Sequence, residues 1–230
     1  MNESIFINRL SAWAPGIENS SQWNEWALGK REILCTGKDP ELSFMDSLFK
    51  RRLSQVSKMT IQVTHDLMPI ANDTKIFFFS FRGELSKQFK VNKMLIQEKT
   101  LSPSVFSQSV FNAPVALASM AMGLKGGYCA IYPGNNSLKA CVLTAAASLL
   151  GGTANEAVFI YADEEAPLEY GCFFNEAPCA AAFALLLTKL NKSKGCGTVS
   201  CGIPLLLPEE NENPLFYLKK LLCGGINVSS

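Results

Sequence analysis

Residues 123–165, GLKGGYCAIYPGNNSLKACVLTAAASLLGGTANEAVFIYADEE, constrain the fold more than any other stretch of the chain. A short apolar run at 128–131 meets Pro133-Gly134, and the Ala-rich segment that follows predicts a helix over 137–150. Gly151-Gly152 stops that helix, and a β-branched and aromatic run at 157–161 predicts a second strand leading into acidic residues. The order is strand, tight turn, helix, strand. A turn of this kind stands at the top of a sheet with a helix N-terminus behind it, a place where α/β enzymes keep a nucleophile or bind an anion. Here the turn holds Pro133, Gly134, Asn135 and Asn136, and none of them is a nucleophile.

The remaining segments alternate in the same way. Residues 5–14 predict a strand closed by Pro15-Gly16, and Trp23 and Trp26 sit three apart, as on one helical turn. Residues 29–40 are loop-like. From 42 to 68 the apolar positions Phe44, Leu48, Leu53, Val56, Met59 and Val63 fall near a 3.6-residue period and predict one long helix, with His65 near its end. Lys50, Arg51 and Arg52 lie together in that pattern, as a solvated face or as a grip on a phosphate or an acidic partner surface. KIFFFSF at 75–81 predicts a strand buried on both faces, 83–101 a helix, and 115–122 a helix of small apolar residues. Strands are expected at 180–187 and 198–207 and a short helix at 214–222. Such alternation argues for a single layered α/β domain over residues 1–230.

Charge and composition exclude some functions. Lys and Arg number 21 against 20 Asp and Glu, so a net charge of +1 supplies no long-range field for nucleic acid or an anionic membrane. The chain is 48% hydrophobic, and its mean hydropathy of +0.13 leaves apolar surface to spare for a partner. The longest apolar stretch, 178–188, is too short for a membrane span, which needs about 20 residues. The opening MNESIFINRL has no basic n-region, so the expected location is cytoplasmic. The eight cysteines lack C-x-x-C pairs and there is one histidine, so the cysteines are expected to be mostly reduced core residues, with no metal.

The order of SPSVFSQSVFNAP, ALASMAMGLKGG, an apolar strand with its turn and Ala-rich helix, and GGTANEAVFIYADE resembles the N-terminal half of the β-ketoacyl synthases. The pieces that carry the likeness are Ser102-Pro103, Asn112, 123–127, 133–137, 151–155 and 161–164. The later EYGCFFNEAPCAAAFALLL is similar to a further strand of the family, so the likeness is clearest over residues 102–190; AWAPG and RRLSQVSKM suit the same scheme. It implies a thiolase-like layered fold, N-terminal half only, with a mixed central sheet flanked by helices. Counting back from Gly152, or 23 residues forward from Asn112, puts the family's active cysteine at Asn135. Cys129 and Cys141 lie six residues to either side.

Condensation needs a thiolate to accept the acyl chain, and imidazoles to assist decarboxylation of the extender unit. A carboxamide is no nucleophile, and the family's two histidines belong to a C-terminal half that this chain does not complete. The resemblance therefore implies a non-catalytic chain length factor, similar to the short forms of bacterial aryl polyene pathways. Such a subunit pairs with an active ketosynthase in polyketide or fatty-acid-like elongation, uses no cofactor and meets acyl carrier protein through the complex. It implies that the strand Gly127, Tyr128, Cys129, Ala130, Ile131 and Tyr132 pairs across a pseudo-two-fold axis. It also implies that Val105 and Phe106, with Phe111, Asn112 and Met120, line the partner's tunnel; a core role stays open for Phe111 and Met120. Two rival readings stand beside it: an acyltransferase using Cys129 or Cys141 with His65, and a carrier-docking module built on Lys50, Arg51 and Arg52.

Overall fold

The computed structural model describes residues 4–132, 134–167, 169–170, 179–190 and 203–229. Their centre is a mixed six-stranded sheet of order β3-β2-β4-β5-β1-β6. Its strands are β1 (Ser4–Trp13), β2 (Lys75–Phe79), β3 (Tyr128–Ile131), β4 (Glu156–Asp163), β5 (Ala181–Leu190) and β6 (Ile203–Pro204). β2 lies parallel to both β3 and β4, whereas β5 runs antiparallel to β4 and β1, and β6 antiparallel to β1. Helices cover both faces: α1 (Ser20–Ala27), α7 (Ser137–Leu150) and α8 (Pro214–Cys223) on one, α3 (Gln55–His65) and α6 (Ala113–Ala121) on the other. The short α2 (Ser47–Lys50), α4 (Leu85–Glu98) and α5 (Pro103–Ser107) complete the fold.

Double coverage explains the unbroken apolar runs of β2, β4 and β5. Along β2 the alternation sends Phe77 and Phe79 toward α7 and Ile76 and Phe78 toward α3, all buried. Each such phenylalanine contributes about 1.5–3 kcal/mol of transfer free energy. The α7 side is rich in rings, with Phe159, Tyr161, Phe183 and Tyr217 stacked beside Phe77 and Phe79, while the α3 side is packed with Val, Ile, Leu and Ala.

The expected strand at 128–131 and helix at 137–150 have the boundaries of β3 and α7. The single helix expected over 42–68 is two helices instead. Asp46 caps α2 and Ser54 caps α3, each with an extended backbone and a side-chain oxygen accepting from the first turn, so the chain restarts at Ser54. Leu53, Val56, Met59 and Val63 are buried as the period required, but Phe44 and Leu48 are exposed. Of the strand expected at 198–207, residues 203–204 pair with β1, while 198–202 and the polar loop before them lie outside the described residues.

The cysteine expectation needs correction. Cys35 and Cys179, 144 residues apart, form a disulfide with a Cα–Cα distance of 4.9 Å, tying the loop after α1 to the start of β5. Cys141 is buried and free, Cys129 half-buried and free, and Cys223 exposed. Cys172, Cys196 and Cys201 lie outside the described residues.

Candidate functional site

The turn between β3 and α7 sits at the C-terminal ends of the parallel strands. Asn135 is exposed there, and Asn136 takes the left-handed conformation (φ 60°) at the N-cap of α7 without a capping hydrogen bond from its side chain. The buried Ser137 hydroxyl closes the turn: it accepts from the Gly134 N–H and donates to the Gly134 carbonyl at 2.5 Å. Its proton is committed to a backbone oxygen.

A second left-handed asparagine, Asn211 (φ 54°), clamps the turn from the other side. The Asn136 N–H donates to Asn211 Oδ1 (3.1 Å) and the Asn211 N–H donates to Asn136 Oδ1 (2.8 Å). Lys220 Nζ holds the same loop through Glu209 Oε1 (2.8 Å) and Glu212 Oε1 (2.9 Å). Between turn and loop lies a cleft of about 400 Å³ whose back wall is Phe79 and Phe81. This clamp was invisible in the sequence, because two asparagines 75 residues apart in polar loops carry no periodic signal.

The thiols are elsewhere. Cys141 is buried in the α7 core, where desolvation pushes its pKa up, so it is no nucleophile at neutral pH. His65 ends α3 on the opposite side of the sheet, its ring stacked 3.5 Å from that of Phe44 and its Nδ1 3.3 Å from Asp66 Oδ1. Cys129 packs on the α7 side as well. The sheet thus separates His65 from both cysteines, and the structure does not assemble the thiol–imidazole pair of the acyltransferase reading. Among the described residues no group of His, Cys, Asp and Glu is arranged to hold a metal ion.

Among the described residues β3 is an edge strand, bonded to β2 alone. Gly126 fixes its entry: a Cβ there would stand 2.2 Å from the Asp73 carbonyl oxygen, and the next N–H–to–carbonyl link runs from Ile76 to Gly127 at 3.0 Å. Cys129, Ala130 and Ile131 are half-buried and Tyr128 and Tyr132 exposed. Several of the residues singled out in the sequence meet here. Asn112 Nδ2 donates to the Tyr128 hydroxyl (3.3 Å), and the Phe111 ring lies 4.6 Å from that of Tyr132 and 6.1 Å from that of Phe78. Phe111 therefore joins core to surface. Met120 (73% exposed) and Phe106 (55%) are open to solvent, and Val105 is half-buried on α5.

The basic residues lie at the end of α2 and just after it, and Lys87 Nζ links the Arg52 carbonyl (3.0 Å) to Gln108 Oε1 (3.1 Å) at the end of α5. Lys50 donates to the Glu41 carbonyl (3.3 Å), while Arg51 and Arg52 are exposed at the end of α2, beside a shallow hollow lined by Pro40, Ser47 and Lys58. Lys58 itself is paired with Asp39.

A doubly covered mixed sheet with a strand–turn–helix at its β3 edge has the architecture of one half of a ketosynthase-type α/β fold. Residues 23–204 match the model of the β-ketoacyl synthase N-terminal domain, and the chain belongs to that family. Among solved structures, a chain of the ketosynthase (ApeO)–chain length factor (ApeC) complex from Xenorhabdus doucetiae superposes with a TM-score of 0.68 at 23% identity. That match covers 80% of this chain and 79% of the other, so the two are of about the same length. The ishigamide ketosynthase/chain length factor gives a TM-score of 0.63 at 12% identity, covering 84% of this chain and 63% of that one. The type II polyketide complex AntDE:AntF, a carrier protein with its ketosynthase, gives 0.64 at 14% identity, with 82% and 63% covered. The chain thus spans under two thirds of the second and third. No curated protein matches it by sequence. Among the described residues no helix is long and apolar enough to cross a membrane.

Proposed function

We propose that this chain is a non-catalytic subunit of the chain length factor type, which pairs with an active ketosynthase and shapes the tunnel for its growing acyl chain. The observation that carries the reading is the turn before α7. By the resemblance Asn135 stands where the family keeps its thiol, Ser137 is bonded back to Gly134, and Cys141 is sealed in the core. The open β3 edge, flanked by exposed Tyr128 and Tyr132, is the surface that pairs with the partner's equivalent strand. Val105 and Phe106 on α5, with Phe111, Asn112 and Met120, then reach toward the partner's acyl pocket.

The size match to a chain of the ApeO–ApeC complex supports a short chain length factor; the sequence resemblance adds an aryl polyene setting in the cytoplasm, with acyl carrier protein reaching the pair rather than this chain alone. Lys50, Arg51 and Arg52, the two arginines exposed and without a salt bridge among the described residues, are the candidate contact for the acidic carrier or for the partner. The test is reconstitution with the neighbouring ketosynthase. The pair should elute as a heterodimer and condense, and each chain alone should fail to elongate. Val105→Trp should shorten the products without breaking the pair; an unchanged product distribution would count against the tunnel assignment.

A further inference from the structure

The five-residue helix α5 carries Val105 and Phe106, and little within the helix itself fixes where it lies. Its N-cap residue, Ser102, makes no capping hydrogen bond from its side chain; Phe106 is exposed and Val105 half-buried. Among the described residues, the hydrogen bonds of 102–109 run within the segment, with one exception. The Val105 and Phe106 N–H groups donate to the Ser102 carbonyl, and the Ser109 N–H and hydroxyl donate to the Phe106 carbonyl. The exception is Gln108, which ends α5 and whose Oε1 accepts from Lys87 Nζ (3.1 Å).

The chain between β2 and α4 places that lysine. Gly83 is in the left-handed conformation (φ 53°) and makes room for the Phe111 ring, since a Cβ there would stand 2.5 Å from Phe111 Cδ2. Glu84 accepts from the hydroxyls of Ser54 (2.7 Å) and Ser57 (2.6 Å), which ties the same piece of chain to the start of α3. Lys87 follows in the first turn of α4, half-buried, and its Nζ also donates to the Arg52 carbonyl (3.0 Å). One ammonium therefore joins α4, the α2–α3 turn and the end of α5. A helix of five residues is too short to be stable by itself and takes its place from such contacts. The Phe111–Gly83 contact is apolar and non-directional, whereas a charge-assisted hydrogen bond fixes both distance and direction.

We propose that Lys87 is a positioning residue for chain-length control: by holding Gln108 against the α2–α3 turn, it sets where α5 presents Val105 and Phe106. The part α5 plays in the partner's tunnel rests on the function proposed above; the hold of Lys87 on α5 is a property of this chain alone. Lys87 acts through Gln108 and needs no contact with the acyl chain. With the bond broken, α5 samples several positions and the tunnel loses one defined length.

Two measurements test this. In hydrogen exchange of the purified full chain, Gln108→Leu and Lys87→Met should each speed exchange at the Val105, Phe106 and Ser109 amides by about tenfold, the change expected for one charge-assisted hydrogen bond. The double variant should exchange no faster than either single one, because both remove the same bond. Gln108→Glu keeps an acceptor for the ammonium and should hold wild-type protection. In the pair reconstituted with the ketosynthase, Gln108→Leu should broaden the range of product lengths without breaking the heterodimer, and Gln108→Glu should restore the wild-type range. If Lys87→Met does not fold, the two Gln108 variants carry the test. Unchanged exchange in Gln108→Leu, or single effects that add in the double variant, overturns the hold of Lys87 on α5. Faster exchange with unchanged products overturns its link to chain length. A wild-type chain that does not pair with the ketosynthase sinks the function proposed above and leaves the hold, which exchange reads without a partner.

Discussion

At one edge of the sheet β6 contributes two residues, one of them Pro204, whose ring removes a backbone donor from the ladder. At the other edge β3 contributes four, has no proline, and carries aromatic side chains at its two ends, Tyr128 in the strand and Tyr132 just beyond it. An isolated domain gains nothing from leaving such an edge open, since unpaired N–H and C=O groups invite aggregation. The difference teaches that, among the described residues, one margin is blunted by a proline and the other is left open, the margin that the proposed reading gives to a second polypeptide. The turn is held by Asn211 and Ser137, with Asn135 and Asn136 at its apex.

The contrast can be broken most severely at Gly126. Gly126→Val would drive a side chain into the Asp73 carbonyl and displace β3, costing about 3–5 kcal/mol of stability in urea melts, and with it association with the ketosynthase. Tyr132→Glu is milder and cleaner, because the side chain is 72% exposed. It should cost the fold no more than its ring contact with Phe111, about 0.5–1.5 kcal/mol, and weaken the heterodimer by about 2–3 kcal/mol, read by titration calorimetry.

A third change lies away from both edges. Glu164 has a folded pKa raised from 4.5 to about 7 by burial, so the folded state binds more protons than the unfolded chain over that interval. Stability is then full below the unfolded value and is lost as pH rises through 7, on the order of 2–3 kcal/mol. The urea midpoint should fall between pH 5.5 and 8, and Glu164→Gln should flatten that slope. The smallest effect is expected at the closed edge: Pro204→Val restores a donor on a two-residue strand and should raise self-association by under about 1 kcal/mol, visible by light scattering.

Much of this architecture was legible in the sequence where local signals were strong. β3, its turn and α7 could be read because an apolar run, Pro-Gly, an Ala-rich stretch and Gly-Gly follow one another within 30 residues. The restart at Ser54 was hidden, because the helical period continues in phase across the short turn between α2 and α3. Long-range pairings left no trace at all. The Asn136–Asn211 clamp, the Cys35–Cys179 disulfide and the bonds from the Val56 and Ser86 N–H groups to the Glu164 carboxylate each join residues 75 or more apart through one or two contacts. The candidate edge was visible as a strand, but its status as an edge depends on the sheet order β3-β2-β4, which places β4 on the far side of β2.

The most direct test of a subunit that shapes without reacting is intact-protein and peptide mass spectrometry of the reconstituted pair after incubation with an acyl donor. The account predicts an acyl adduct on the ketosynthase and an unmodified peptide spanning residues 128–150 of this chain. An adduct within that peptide, formed at the rate of turnover, would contradict it.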